Sequence, residues 1–255
     1  MSKQKITKPV KKIKEKAHAA AREKSATAPA RRYRAILFQA MLILFAGGFA
    51  VLTYLVKTMP SFAIDLQVTK AIQLINLPGF AFFMRLISWP GFGPQSMIIT
   101  AVTIFLIYAF GWHWEALMAF FAAVFSTGIN LLAKNLVQRP RPLASMVNVF
   151  DRLNDYSFPS GHVMFYIGFL GFVGFLAFSV LKPSLMRSLL VVLFGIPVIF
   201  IGASRIYLGA HWASDVLAAY LLGSLTLVVT IQIYLWGKTR FFVHQPVAAA
   251  QPQPA

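Results

Sequence analysis

The chain contains no cysteine, and only seven of its 255 residues are Asp or Glu. Without cysteine there is no disulfide, no thiolate metal site and no cysteine nucleophile of the kind some phosphatases and proteases use. Seven acids leave little material for a carboxylate-bound metal cluster, so neither a metal nor any other cofactor is expected. Charged residues make up 12% of the chain against 58% hydrophobic, with a mean hydropathy of +0.68, which excludes an ordinary water-soluble globule. The charge present is mostly of one sign: 24 Lys and Arg give a formal +17. Twelve of these fall in residues 1–34, against Glu15 and Glu23, so this segment alone carries +10. Rich in Lys, Ala and Arg and without apolar periodicity, it reads as a disordered basic arm. A Lys-rich run raises the question of nucleic acid. An arm joined directly to an apolar span is accounted for more simply as a topology determinant and a contact for anionic lipid, at about 1 kcal/mol per basic residue. No nucleic-acid partner is expected.

What the sequence has in quantity is apolar length. A helix needs roughly 20 apolar residues to cross the hydrocarbon core. The stretches Ala35–Val56, Ser96–Gly111, Glu115–Ala133, Gly161–Leu181, Ser188–Ala203 and Ser214–Trp236 qualify, the second and fifth being short. The first is too long, and its basic flank too extended, for a cleaved signal peptide, and it reads as a signal anchor. Residues 58–94 contain Pro60, Pro78, Pro90 and Pro94 together with Asp65, Lys70 and Arg85. Those prolines would leave backbone groups unpaired in lipid, so one or two amphipathic helices lying in the interface are expected, either as a lip beside a lipid-facing site or as a packed re-entrant connection. The expected fold is all-α and polytopic: an arm over 1–34, a six-helix membrane domain over 35–240 and a disordered tail over 241–255.

With the N-terminus cytoplasmic, 16 basic residues lie inside and eight outside; without the arm the count reverses to four against eight. Something other than topology must therefore gather basic residues on the outer face. Three polar clusters stand there at span ends: Lys134 through Arg141-Pro142, Tyr156 through Pro159-Ser160-Gly161-His162, and Ser204-Arg205 through His211 and Asp215. The first closes the third span, the second opens the fourth, and two crossings return the third to the same face. All three converge at one depth in an inner (cell) membrane protein with an extracytoplasmic site.

In pattern form the clusters read K-x6-R-P, P-S-G-H and S-R-x5-H-x3-D. In these motifs, across about residues 95–236, the sequence resembles the type 2 phosphatidic acid phosphatase family. These integral-membrane lipid phosphatases share an active-site plan with vanadium haloperoxidases and bacterial acid phosphatases. The residue types suit attack on a phosphate ester. Lys134, Arg141 and Arg205 are cations fit to clamp phosphate oxygens. Ser160 and Gly161 sit where a helix begins, and its free N–H groups form an anion site. His211 and Asp215 are one helical turn apart, so the carboxylate can hold one ring N–H while the other nitrogen attacks phosphorus. His162 stands as general acid and then as base for water. The resemblance implies the same roles, with a membrane lipid phosphate as substrate: phosphatidate, phosphatidylglycerol phosphate, an isoprenoid diphosphate, or a phosphorylated sphingoid or lipid A group. Alternatives are lipid phosphotransfer through the same phosphohistidine, a transporter, and an inactive lipid-binding relative. Outside the motifs, Arg139 and Arg152 read as interfacial anchors, Trp212 as an interfacial aromatic, and Asp151 and Asp155 as exposed acids or partners of Arg139 and Arg152.

Overall fold

Apolar runs punctuated by Pro and Gly set the helices. The computed structural model describes residues 7–59, 62–151 and 153–241, with side chains from residue 32 onward. Among these residues there are helices and no strand: α1 (Thr7–Thr58), α2 (Ala63–Gln73), α3 (Phe80–Ser88), α4 (Gly93–Ala109), α5 (His113–Val137), α6 (Gly161–Val180), α7 (Leu185–Tyr207) and α8 (Ala213–Phe241). The stretch Arg32–Thr58 and the whole of α5, α6, α7 and α8 are each long and apolar enough to cross a bilayer. A sixth crossing exists only if the next bent pair counts as one span. Helix α3 with its following turn and helix α4 meet at 61°, because Pro90, Gly91, Gly93 and Pro94 interrupt the hydrogen-bond ladder. The span expected at Ser96–Gly111 is thus one arm of a bent pair. The chain is an integral membrane protein of all-α architecture.

The arm expected to be disordered is helical in its described part, since α1 begins at Thr7. Its Ala, Lys, Arg and Glu are good helix formers. Of the tail expected over 241–255, residues 242–255 lie outside the described residues. The interfacial helices expected in 58–94 are α2 and α3, which bury Asp65, Thr69, Met84 and Ser88 and pack on α7. Gln73 ties α2 down: its Nε2 donates to the carbonyls of Asn148 and Tyr207 at 2.7 and 2.8 Å, and its Oε1 accepts from Asn148 N at 3.0 Å.

Residues from Phe45 onward form one compact unit with α6 at its centre. In α6, 61% of the span is buried, against 28–33% for α5, α7 and α8, as an all-round apolar helix requires. Phe158 of the preceding loop is buried with Val56 and Ala218 and stacks on Phe49. A π-turn interrupts α6 at Tyr166–Leu170, and Ser126 Oγ of α5 donates to the Met164 carbonyl there at 2.8 Å. In α7, past Pro197, the Tyr220 hydroxyl accepts from Gly202 N at 3.2 Å and donates to Val198 O at 2.8 Å, bridging the ladder.

Small residues let these helices approach closely. A Cβ on Gly168 would stand 2.3 Å from Ser126 Oγ and 2.5 Å from Ser126 Cβ, whereas a Cβ on Gly195 would meet nothing within 4 Å. Gly168→Ala should therefore lower stability by about 1–3 kcal/mol, read by thermal unfolding in detergent, while Gly195→Ala leaves it unchanged or slightly raised.

Candidate active site

The three polar clusters meet because each adjoining helix ends or begins in a defined way. Helix α5 stops at Gln138, whose φ of 56° is left-handed and whose N–H donates to Lys134 O at 2.8 Å. Pro140 and Pro142 then keep the chain extended, carrying Arg139 and Arg141 past the end of α5. Helix α6 begins at Gly161 with Ser160 as its N-cap residue. Helix α7 closes in a reverse turn in which Ala210 N and His211 N both donate to Arg205 O, at 3.1 and 3.3 Å. Gly209 takes φ +66° in this turn, and a Cβ there would stand 2.1 Å from Asn148 O. This turn explains the x5 spacing: it brings His211 back beside Arg205 in the last turn of the preceding helix.

Lys134, Arg141, Gly161, His162 and His211 line one cavity of about 210 Å³, together with Gly91, Phe92 and Gly93 from the break between α3 and α4. Arg205 stands beside it, its guanidinium 5.5 Å from the Phe92 ring centre. It donates to Ser88 Oγ at 2.5 Å and lies 3.5 Å from Asp151 Oδ2. Arg205 Nε and Nη2, Ser160 Oγ and His162 Nε2 are buried with no hydrogen-bond partner among the described residues. His162 packs edge-on against Phe92, and a Cβ on Gly91 would come within 2.3 Å of its ring. Glycine at 91 is thus what lets that ring take its place.

His211 is almost fully buried. Its Nδ1 lies 2.8 Å from Ser157 O, which can only accept, so Nδ1 carries the proton and Nε2 is left with its lone pair, 3.2 Å from Arg141 Nη1. Burial, followed by the charges of Arg141, Arg205 and Lys134, pushes the His211 pKa well below the ordinary imidazole value.

Asp215 is not the direct partner of this ring. Its Oδ2 is 3.8 Å from His211 Nδ1; it accepts instead from Ser157 Oγ at 2.5 Å and Trp212 N at 2.9 Å, while Oδ1 accepts from Arg139 Nη1 at 2.5 Å. The expected carboxylate–histidine contact is replaced by a relay through Ser157, which supplies its carbonyl to His211 and its hydroxyl to Asp215.

Arg139 is no interfacial anchor. Its side chain is fully buried, with Nη1 on Asp215 and Ser214 Oγ and Nη2 on Asp65 Oδ2 at 2.7 Å. Asp65 also accepts from Ser214 N at 2.8 Å at the start of α8, where a carboxylate suits the free N–H groups. Trp212 is buried too, its Nε1 donating to Pro140 O at 3.3 Å. Asp155 pairs with Lys134 and Arg141, and Asp151 faces Arg205. The partners expected for Arg139, Asp151 and Asp155, face other cations; the available signal was Asp65, an acid in an apolar segment that needs a cation.

Among the described residues, no three His, Asp or Glu side chains converge as a metal-binding set. Removing one member of a buried ion group leaves the others uncompensated, at about 3–5 kcal/mol. Arg139→Ala should therefore lower both thermal stability and activity, whereas Arg141→Ala, at the cavity wall, should lower activity with little change in unfolding temperature.

Residues 112–238 match the family model described as PAP2 superfamily, and this stretch holds all three motifs named above. The chain is 27% identical over 186 residues to phosphatidylglycerophosphatase B of Bacillus subtilis (strain 168), covering 69% of this chain and 86% of that protein. It is 34% identical over 83 residues to undecaprenyl-diphosphatase of Sulfolobus acidocaldarius, covering 32% of this chain and 36% of that one. In fold it resembles the crystal structure of a transmembrane PAP2-type phosphatidylglycerolphosphate phosphatase from Bacillus subtilis, with a TM-score of 0.68 at 23% identity over 78% of this chain and 98% of the other. With its three motifs gathered at one end of a helical membrane domain, the chain belongs to the PAP2 superfamily.

Proposed function

We propose that the protein is a metal-independent phosphatase that hydrolyses a terminal phosphate or diphosphate on a membrane lipid at the extracytoplasmic face, through a phosphohistidine on His211. The observation that carries this reading is the set of unpartnered buried donors, Arg205 Nε and Nη2 and Ser160 Oγ, beside a cavity that also receives Lys134, Arg141 and both histidines. Donors fixed in this way suit a phosphoryl group whose charge is spread over its outer oxygens.

His211 Nε2 attacks phosphorus as the bond to the leaving oxygen breaks, and His162 gives that oxygen its proton. The lipid leaves as an alcohol, or as a lipid monophosphate when the substrate is a diphosphate. His162, now neutral, takes a proton from water as the water oxygen bonds to phosphorus. The phosphorus–nitrogen bond then breaks, releasing inorganic phosphate and regenerating both histidines. Asp215 acts as a positioning residue through Ser157. A lipid substrate is supported by the apolar residues in the cavity lining, Phe92, Leu131 and Leu153, and by the names of the two relatives, one a phosphatidylglycerophosphatase and the other an undecaprenyl-diphosphatase. The basic arm, whose described part is the N-terminal part of α1, would rest on anionic lipid at the cytoplasmic face.

Phosphate release from lipid phosphomonoesters and diphosphates should survive chelator and fall by about a thousandfold or more in His211→Ala. Because the nucleophile must be neutral and its pKa is depressed, the acid limb of the pH–activity profile, set by His211, should lie below the usual imidazole range, while the alkaline limb follows loss of the His162 proton. Turnover lost on chelation, or retained without His211, would contradict the mechanism. The lack of cysteine makes sidedness directly measurable: in intact cells a membrane-impermeant thiol reagent should label Asn154→Cys and spare Lys182→Cys.

A further inference from the structure

Two of the cations assigned above to phosphate already hold an anion. One Asp155 oxygen lies 2.8 Å from Lys134 Nζ and the other 2.5 Å from Arg141 Nη2, so a single carboxylate bridges both. It does so from the open side of the cavity, for the Asp155 side chain is 57% exposed while that of Lys134 is 6% exposed. The unpartnered donors of Arg205 and Ser160 hold nothing from the protein. The donors are thus divided into free ones, on Arg205 and Ser160, and ones already engaged by a carboxylate, on Lys134 and Arg141.

The engaged pair does not depend on the carboxylate for its position. Lys134 also donates to Tyr156 O, and Arg141 to Ala210 O at 2.6 Å and Asp155 O at 2.8 Å. Rotation of the exposed Asp155 side chain into water would leave both cations in place. Burial alone would raise its pKa, yet Lys134 and Arg141 hold it at about 2, so this internal anion is charged throughout the working pH range.

Resting on the reading of the cavity as a phosphatase site, we propose that Asp155 is a specificity-determining residue. It is an anion that an entering phosphoryl group must displace from Lys134 and Arg141, and so it admits phosphomonoesters and diphosphates and rejects phosphodiester headgroups. The physical reason lies in the charge exchanged. A phosphodiester carries one negative charge, as Asp155 does, so the swap brings no Coulomb gain and costs the headgroup its hydration. A phosphomonoester near neutral pH carries close to two, and it gains from both cations as well as from the donors of Arg205 and Ser160. This distinction matters in a bilayer, where phosphodiester lipids vastly outnumber any lipid with a terminal phosphate and would otherwise occupy the site.

The test uses the full chain in neutral-detergent micelles, hydrolysing a lipid phosphomonoester in the presence of inorganic phosphate or dihexadecyl phosphate, a monoanionic diester. Wild type should be insensitive to the diester beyond surface dilution. Asp155→Asn should become competitively inhibited by it, and should bind inorganic phosphate about tenfold more tightly, a change of about 1.4 kcal/mol. Asp155→Glu, which keeps the charge, should discriminate as wild type does. If Asp155→Asn and a parallel Asp155→Ala turn over substrate with unchanged or weaker inhibition by both anions, or lose kcat without any change in inhibition, the role assigned to Asp155 is wrong while the phosphatase reading stands. If wild type releases phosphate from no lipid phosphomonoester, the phosphatase reading itself falls, and the proposal with it.

Discussion

A charge buried in a membrane protein must be neutralised where it stands, and Arg139 is where this chain meets that constraint most severely. Its guanidinium is inaccessible to solvent and bonded to two equally buried carboxylates, Asp65 and Asp215. Such a group contributes little net stability compared with apolar packing, but it is costly to break. It therefore acts as a geometric lock. Asp65 comes from an interfacial helix, Arg139 from the extended chain after α5, and Asp215 from the first turn of α8, so one ion group fixes the three elements that frame His211. Ser214 closes the lock, donating from its backbone and its hydroxyl to Asp65.

The same constraint sorts the other charges. All five acids outside the arm face a basic side chain: Asp65 and Asp215 share Arg139, Glu115 pairs with Lys238, Asp151 with Arg205, and Asp155 with Lys134 and Arg141. These pairings divide the cations by task. Arg139 is fully engaged by protein and structural. Arg205 is anchored at one nitrogen and retains two unpartnered donors beside the cavity. Lys134 and Arg141 occupy the middle ground, each paired with the exposed carboxylate of Asp155.

The spans and motifs were legible because both are local signals. Apolar length names a crossing without any knowledge of neighbours, and K-x6-R-P, P-S-G-H and S-R-x5-H-x3-D each reflect one helix end: the left-handed stop at Gln138, the start at Gly161 and the reverse turn through Gly209. What escaped was non-local. Asp65 is 74 residues from Arg139 and 149 from Ser214, and no periodicity in either segment announces the pairing. The bend before α4 escaped for a different reason: α4 alone has 17 residues, and it passes as a span only together with α3, which lies in the interfacial segment. Yet that bend supplies Gly91 and Phe92 to the cavity wall, so the least regular segment contributes to the site.

The relay to His211 follows from the lock rather than adding to it. A carboxylate bonded directly to a buried imidazole would favour its protonated form, and a protonated ring has no lone pair with which to attack phosphorus. Here the charge of Asp215 is already balanced by Arg139, and what reaches His211 is the neutral carbonyl of Ser157, 2.8 Å from Nδ1. Orientation is thereby separated from charge. The carbonyl fixes the tautomer, burial and the nearby cations keep the ring neutral, and in the proposed mechanism the same cations would stabilise the negative charge developing on the phosphoryl oxygens. On that proposal the electrostatic field that depresses the basicity of His211 is also the field that would stabilise the transition state, and it is sustained because Arg139, not His211, neutralises the buried acid.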